Sequence, residues 1–253
     1  MEVFTLAARD WFGTFRPAVL ALLNGQPVYI FNPPWALAPL IPFALVPWGR
    51  ELLALAAFFA LAFTAVRLKA TPLGLAAFLL APFTLNALVF GNIEWLALLG
   101  LVFPPRLGLV FLALKPQMTW AVMAFYAVAA YRAGGWRSTA SMLAPLAVLT
   151  LVSFAAFGLW PLEALGYLRF QDTTMNYSFF PASVPLGLAL FVQSLRTREV
   201  RYALAASPLG MPVLTSQCWL VVVLALAPAT LWSLIAAGSL WAYVVYVRWA
   251  ASR

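Results

Sequence analysis

LGLAAFLLAPFTLNALVFGNIEWLALLGLVFPPRLGLVFLALKPQ, residues 73–117, is the stretch that decides the fold class. Its first part, 73–90, is one apolar run close to the length of about 20 residues that an α-helix needs to cross a bilayer. The run ends at Gly91-Asn92-Ile93-Glu94. Two further apolar pieces, 95–103 and 107–114, are each about half a span. Pro104, Pro105 and Arg106 separate them, and Lys115, Pro116 and Gln117 close the second. Interrupted helices are tolerated in a membrane where they border protein or a wet cavity, and there they often mark the functional core.

The rest of the sequence has the same character. Of 253 residues, 65% are hydrophobic and 9% charged, and mean hydropathy is +0.95; ordinary soluble domains run at roughly a half and a quarter. This composition predicts an integral membrane protein, and the lack of strand alternation makes its spans helices rather than the strands of a barrel. The net charge of +8 is carried by single residues and short clusters between apolar runs. That is a pattern of membrane topology, not of nucleic-acid binding. Histidine is absent and Cys218 is the one cysteine, which excludes a histidine base, a histidine-held metal and an internal disulfide. No cleavable signal is expected, because Met1-Glu2-Val3-Phe4-Thr5 has no basic segment ahead of a long apolar run.

Upstream, residues 10–35 read DWFGTFRPAVLALLNGQPVYIFNPPW. Trp11, Phe15, Val19, Leu22 and Leu23 recur at helical spacing, with Asp10, Arg16 and Asn24 around them, which predicts a short helix lying at the interface. Gly25 ends it, and Pro27, Pro33 and Pro34 keep the next segment extended. Residues 35–47 are apolar but short and contain Pro39 and Pro42, so a partial helix is expected; 52–66 is a cleaner helical run before Arg67 and Lys69. Downstream, 118–131 leads to Arg132 and Arg137, 139–159 reads as a span, and 160–180 is the longest polar connection. Residues 182–195 return to Arg196, Arg198 and Arg201, and 218–247 holds one or two final helices interrupted at Pro228. The expected architecture is all-α and polytopic, a single domain over 1–253 with about 8 to 10 membrane helices, broken and half-length ones included.

Topology decides which polar groups can meet. The positive-inside rule places Arg132/Arg137 and Arg196/Arg198/Arg201 in the cytoplasm and the 160–180 loop outside. Counting backwards, Lys115 falls outside, Arg106 inside, Asn92 and Glu94 outside, and Arg67 and Lys69 inside. Asp10 joins the outer face if 35–66 makes a single net crossing, and 8–34 is then an extracytoplasmic interfacial helix and loop. If both pieces cross, Asp10 lies in the cytoplasm.

Each polar candidate has two readings. Asp10 is either an N-cap for the helix that follows or a catalytic carboxylate. Lys115, among apolar residues and before a proline, either snorkels to the interface or holds an anion. Asn92 and Glu94 either end a helix or line a site. Arg169, Gln171, Asp172 and Asn176 either form a wet loop or contribute to that site.

The ordered set Asp10-Trp11, Arg16-Pro17-Ala18, Gly25-Gln26-Pro27-Val28-Tyr29, Phe31-Asn32-Pro33-Pro34-Trp35, Gly91-Asn92-Ile93-Glu94-Trp95, Lys115-Pro116-Gln117, Asn176-Tyr177-Ser178 and Ser207-Pro208 resembles the membrane glycosyltransferases of family 87. These are GT-C-class, polyprenol-phosphate-mannose-dependent mannosyltransferases and their relatives. The resemblance implies transfer of mannose or a similar hexose from a polyprenyl-phosphate donor to a lipid or glycan acceptor. The site would face outward from a prokaryotic plasma membrane. The family carries an Asp general base in its first extracytoplasmic loop, ahead of interfacial helices and a Tyr…Pro-Pro segment, and Asp10 matches that position. Its Gly-Gln-x-Asn and Lys-x-x-Pro-like elements correspond to Asn92 and Lys115.

On this resemblance Lys115 and Arg169 are the phosphate-binding cations. Tyr29, Asn32, Asn92, Glu94, Gln117, Gln171, Asp172 and Asn176 line the donor or acceptor site. The chain departs from the family in two places. The family has a transmembrane helix ahead of the Asp, where nine residues stand here, and its aromatic or histidine-rich element after Ser-Pro is replaced by Leu209-Gly210-Met211-Pro212. These departures keep a second expectation open, a non-catalytic membrane subunit or lipid-binding scaffold descended from such an enzyme. The chemistry also fits the residues directly: a carboxylate can deprotonate an acceptor hydroxyl, and one or two cations can stabilise a phosphate leaving group. No cofactor is required for that, and a divalent metal stays open. Membrane lipids are expected partners and nucleic acid is not.

Overall fold

The computed structural model describes residues 8–28, 30–162, 164–166 and 176–251. Among the described residues every regular element is a helix. Two are long and apolar enough to cross a membrane, Gly49–Arg67 and Pro116–Phe157, and a bent pair adds a third if it counts as one span. Against an expected 8 to 10 membrane helices, the described residues hold these two or three candidate spans and several shorter apolar helices. Large apolar side chains lie open on the outside, among them Phe59 at 65%, Leu151 at 66% and Leu231 at 66% exposure. Such a surface suits hydrocarbon better than water.

The first helix, α1 (Trp11–Leu23), opens with a π-turn over Trp11–Phe15 and continues as Arg16–Leu23. Gly25, at φ +64°, ends it. The next, α2 (Pro34–Ala44), is a 3-10 stretch to Leu40 followed by one α-turn. Pro34, Pro39 and Pro42 cannot donate to a continuous helical ladder, so this segment stays a partial helix. Then α3 (Gly49–Arg67) begins beside the site, with Leu53 packed where a side chain on Gly91 would sit. Within 35–66, then, one helix is long enough to span, and the segment before it is short.

The run 73–90, expected as a single span, is two helices, α4 (Pro72–Leu79) and α5 (Pro82–Phe90), bent by 54°. Pro82 is the cause. It lacks an N–H and forces Ala81 into the extended region, φ −62° and ψ 140°.

The two half-length pieces form a hairpin, α6 (Glu94–Leu99) and α7 (Pro105–Leu112). A Cβ on Gly100 would lie 2.5 Å from the carbonyl oxygen of Gly108, so the two backbones touch only because both residues are glycine. The hairpin goes in and comes back. Its two ends, Glu94 and Lys115, are thereby delivered to the same level.

As a straight rod α8 (Pro116–Phe157) would run about 63 Å. Instead Trp160, just past its end, packs at 6.2 Å against Trp35, whose indole N–H donates to the Val110 carbonyl at 3.1 Å. The chain folds back at Gly134 and Gly135, both non-helical, with Gly135 at φ +62° and ψ −155°, a region open to glycine alone. The remaining helices are α9 (Val184–Thr197), α10 (Val200–Leu209), α11 (Ser216–Leu226) and α12 (Thr230–Ala251). Arg132 donates to the Leu195 carbonyl at 3.1 Å, so the α8 reversal and the α9–α10 turn share one end. At the turn after α3, Thr71 meets Thr230 through their hydroxyls at 2.6 Å. Arg132, Arg137 and Arg196 lie around the α8 reversal and the α9–α10 turn, and Arg67 and Lys69 at the turn after α3; Asp10, Asn92, Glu94 and Lys115 gather elsewhere, with Arg9 beside them.

Candidate functional site

The site is built first on Gly91. At φ +68° it ends α5 in the left-handed region, and a Cβ there would lie 2.9 Å from the Cβ of Trp11. Only glycine lets the buried Trp11 pack so close. Two residues before Gly91, the Val89 carbonyl accepts the Ala8 N–H at 2.6 Å, tying the start of α1 to the end of α5.

Those two contacts bring Asp10 to Asn92. The Asn92 Nδ2 donates to Asp10 Oδ2 at 2.6 Å, while Asn92 Oδ1 accepts the Ile93 N–H at 2.8 Å. The amide is held at both ends, so its N–H group points at the carboxylate. Asp10 makes no side-chain cap to α1. Its carboxylate faces a distant partner instead of its own helix.

Two residues on, Glu94 stands fully buried at the start of α6 and accepts from Lys115 Nζ at 2.5 Å. Lys115 is 5% exposed. Its backbone is fixed from two sides: Thr119 Oγ1 donates to the Lys115 carbonyl at 2.9 Å, and Asn32 Nδ2 donates to the neighbouring Leu114 carbonyl at 3.0 Å. The proline-rich loop after α1 therefore clamps the turn that carries the lysine. Among the described residues Glu94 Oε2 and Trp95 Nε1 are buried without a hydrogen-bond partner.

Burial pushes the Asp10 carboxyl above the ordinary carboxylate range. The Lys115 charge opposes this, the Glu94 charge adds to it, and the Asn92 hydrogen bond and Arg9 pull it back. A half-buried carboxylate of raised basicity, oriented by an amide and open on one side, is suited to accepting a proton. With all three groups ionised, Asp10, Glu94 and Lys115 carry one net negative charge, which the exposed Arg9 balances.

No family model, no curated protein and no solved structure matches this chain.

Of the residues expected to form the site, Asp10, Asn92, Glu94 and Lys115 come together, and Asn32 supports Lys115 through the backbone. Gln117 lies half-buried in the first turn of α8. Asn176 holds the segment ahead of α11: its Nδ2 donates to the Pro212 carbonyl at 2.8 Å, and its Oδ1 accepts from Ser178 N and Leu214 N, each at 3.0 Å. Tyr29, Arg169, Gln171 and Asp172 lie outside the described residues. Among the described residues no three His, Cys, Asp or Glu side chains gather in a metal-binding group.

Two neighbours went unrecognised in the sequence. Arg9 acts on Asp10 from the exposed side, and its adjacency in sequence was the available signal. Cys218, buried at the start of α11 and 3.3 Å from Thr215 Oγ1, lies within electrostatic reach of Lys115 and Glu94. Nothing in its local sequence marks that position.

Proposed function

We propose that this chain is a GT-C-like glycosyltransferase that moves a hexose from a polyprenyl-phosphate donor to a lipid or glycan acceptor at the outer membrane face. The observation that supports it is the meeting of the Asp10–Asn92 pair with the Glu94–Lys115 pair, brought together from separate segments. In this reading Asp10 takes the proton of an acceptor hydroxyl and Asn92 holds the carboxylate in place. The hydroxyl oxygen bonds to the anomeric carbon as the bond from that carbon to the phosphate oxygen breaks, and polyprenyl phosphate leaves. Lys115 has more N–H donors than the one Glu94 occupies, and Arg9 and Arg169 are further cations for the departing phosphate.

The test is transfer of radiolabelled mannose from polyprenyl-phosphate mannose to an alkyl mannoside by the purified protein in vesicles. Asp10→Asn should lower transfer by about 10²- to 10⁴-fold, the usual contribution of a positioned base. Equal transfer by the variant would remove Asp10 from that role. One observation favours a second reading: Lys115 and Glu94 neutralise each other inside the protein, as in a structural ion pair. A folded wild-type protein that binds the donor and never transfers its sugar would select a non-catalytic scaffold instead.

A further inference from the structure

Away from the site, a slot of about 670 Å³ runs between α7 and the second arm of α8. It exists because a short helix stands beside a long one: α7 spans about 12 Å and the 136–157 arm continues well past it. One wall is a single stripe at helical spacing, Ser141, Ala144, Pro145, Val148 and Val152, faced by Leu107 and Val110 of α7. Val148 and Val152 are 60% and 57% exposed, so this wall is open from the side.

Polarity is confined to one mouth. There Arg106, at the tip of the α6–α7 hairpin, donates from Nη2 to Ser141 Oγ. The guanidinium has more N–H donors than Ser141 uses. Arg137 is exposed one turn before Ser141 on the same helix face. Pro145 has no N–H, which leaves the Ser141 carbonyl without its helical partner at this mouth.

A trough with an apolar floor and a cationic, hydrogen-bonding mouth matches an amphiphile with an anionic head. We infer that this slot is a binding site for one anionic glycerophospholipid, with its phosphate on Arg106 and Arg137 and an acyl chain lying along Val148 and Val152. Charge complementarity selects an anionic head over a zwitterionic one, and the apolar floor selects a lipid over free phosphate. This site is separate from Asp10 and Lys115 and does not depend on the proposed transfer activity.

The experiment is native mass spectrometry of the purified full chain, titrated with dioleoyl phosphatidylglycerol, dioleoyl phosphatidylcholine or glycerol 3-phosphate. The first phosphatidylglycerol should bind about five- to tenfold more tightly than phosphatidylcholine, as one or two extra cation contacts predict, and glycerol 3-phosphate should not be retained. Arg106→Gln should bring the two lipids close to equal affinity, Arg106→Lys should keep most of the preference, and Val148→Trp should weaken phosphatidylglycerol binding by filling the floor. Equal affinity for both lipids in the wild-type protein would overturn the proposal. So would an unchanged phosphatidylglycerol affinity in Val148→Trp, a surface substitution that leaves Arg106 intact and serves if Arg106→Gln does not fold. Retention of glycerol 3-phosphate as tightly as the lipid would equally count against it.

Discussion

The Glu94–Lys115 ion pair makes the most quantitative prediction. Its side chains are 1% and 7% exposed and their charged atoms lie 2.5 Å apart, so neither charge has water to fall back on. Removing one partner of such a pair costs about 3–5 kcal/mol, because the other charge is left buried and uncompensated. The two single variants should not be equal. In Glu94→Leu, the ammonium still has the Asp10 charge nearby, whereas Lys115→Met leaves two carboxylates near each other with no cation between them. Lys115→Met should therefore be the more damaging, at the upper end of that range, and Glu94→Leu at the lower. At about 2–4 °C per kcal/mol for a chain of this size, the losses correspond to melting-temperature shifts on the order of 10 °C. The double variant, with two apolar side chains of similar volume, should be more stable than either single one. Thermal unfolding of all four proteins in one detergent, followed by intrinsic tryptophan fluorescence, measures this cycle. Additive losses in the double variant would refute the reasoning.

Other outcomes follow from the same geometry. Gly91→Ala combines a left-handed φ with a Cβ 2.9 Å from Trp11, so it should cost about 1–3 kcal/mol in thermal unfolding and reduce transfer through displacement of Asn92. Asn32→Ala should remove one hydrogen bond to the turn carrying Lys115, a loss of about 1 kcal/mol measured in the same assay. The acid limb of the transfer rate against pH should lie above the ordinary carboxylate range, because burial raises the Asp10 pKa. Asn92→Leu removes a hydrogen bond that stabilises the ionised form, so it should move that limb to still higher pH. The stability effect of Asp10 has the opposite sense to that of an ordinary ion-paired carboxylate. A raised folded-state pKa means that stability falls as pH climbs from the unfolded to the folded value, and Asp10→Asn should flatten that window in pH-dependent melts.

Much of the arrangement could be read from the sequence because the chain is so poor in polar residues. With apolar segments of span or half-span length, the parity of crossings alone places Asn92, Glu94 and Lys115 at one level and Arg106 at the other, and the α6–α7 hairpin follows from Pro104-Pro105 between two half-length pieces. The partial helix over 34–44 was legible from its prolines. The break at Ala81-Pro82 was not, since the run around it is uniformly apolar and one proline inside a span usually kinks a helix rather than dividing it. Pairings were harder still. Asp10 before a helix has the local pattern of an N-cap, and its actual partner lies 82 positions away. Likewise Glu94 and Lys115 each looked like a helix-end charge, and only the close Gly100–Gly108 packing brings them into a bond that uses one of the lysine's N–H donors.

The account rests on Asp10 and Asn92 sharing one site that faces the outside of the membrane. The direct measurement is thiol cross-linking in intact membranes, with Asp10→Cys and Asn92→Cys introduced together in a Cys218→Ser background and treated with the shortest bis-methanethiosulfonate. The Thr71→Cys/Thr230→Cys pair, whose hydroxyls meet at 2.6 Å, serves as the control. Rapid cross-linking of both pairs, with the first blocked by a membrane-impermeant thiol reagent from outside, is the predicted result. Cross-linking of the control alone, or protection of the first pair only by reagent admitted to the cytoplasmic side, would contradict it.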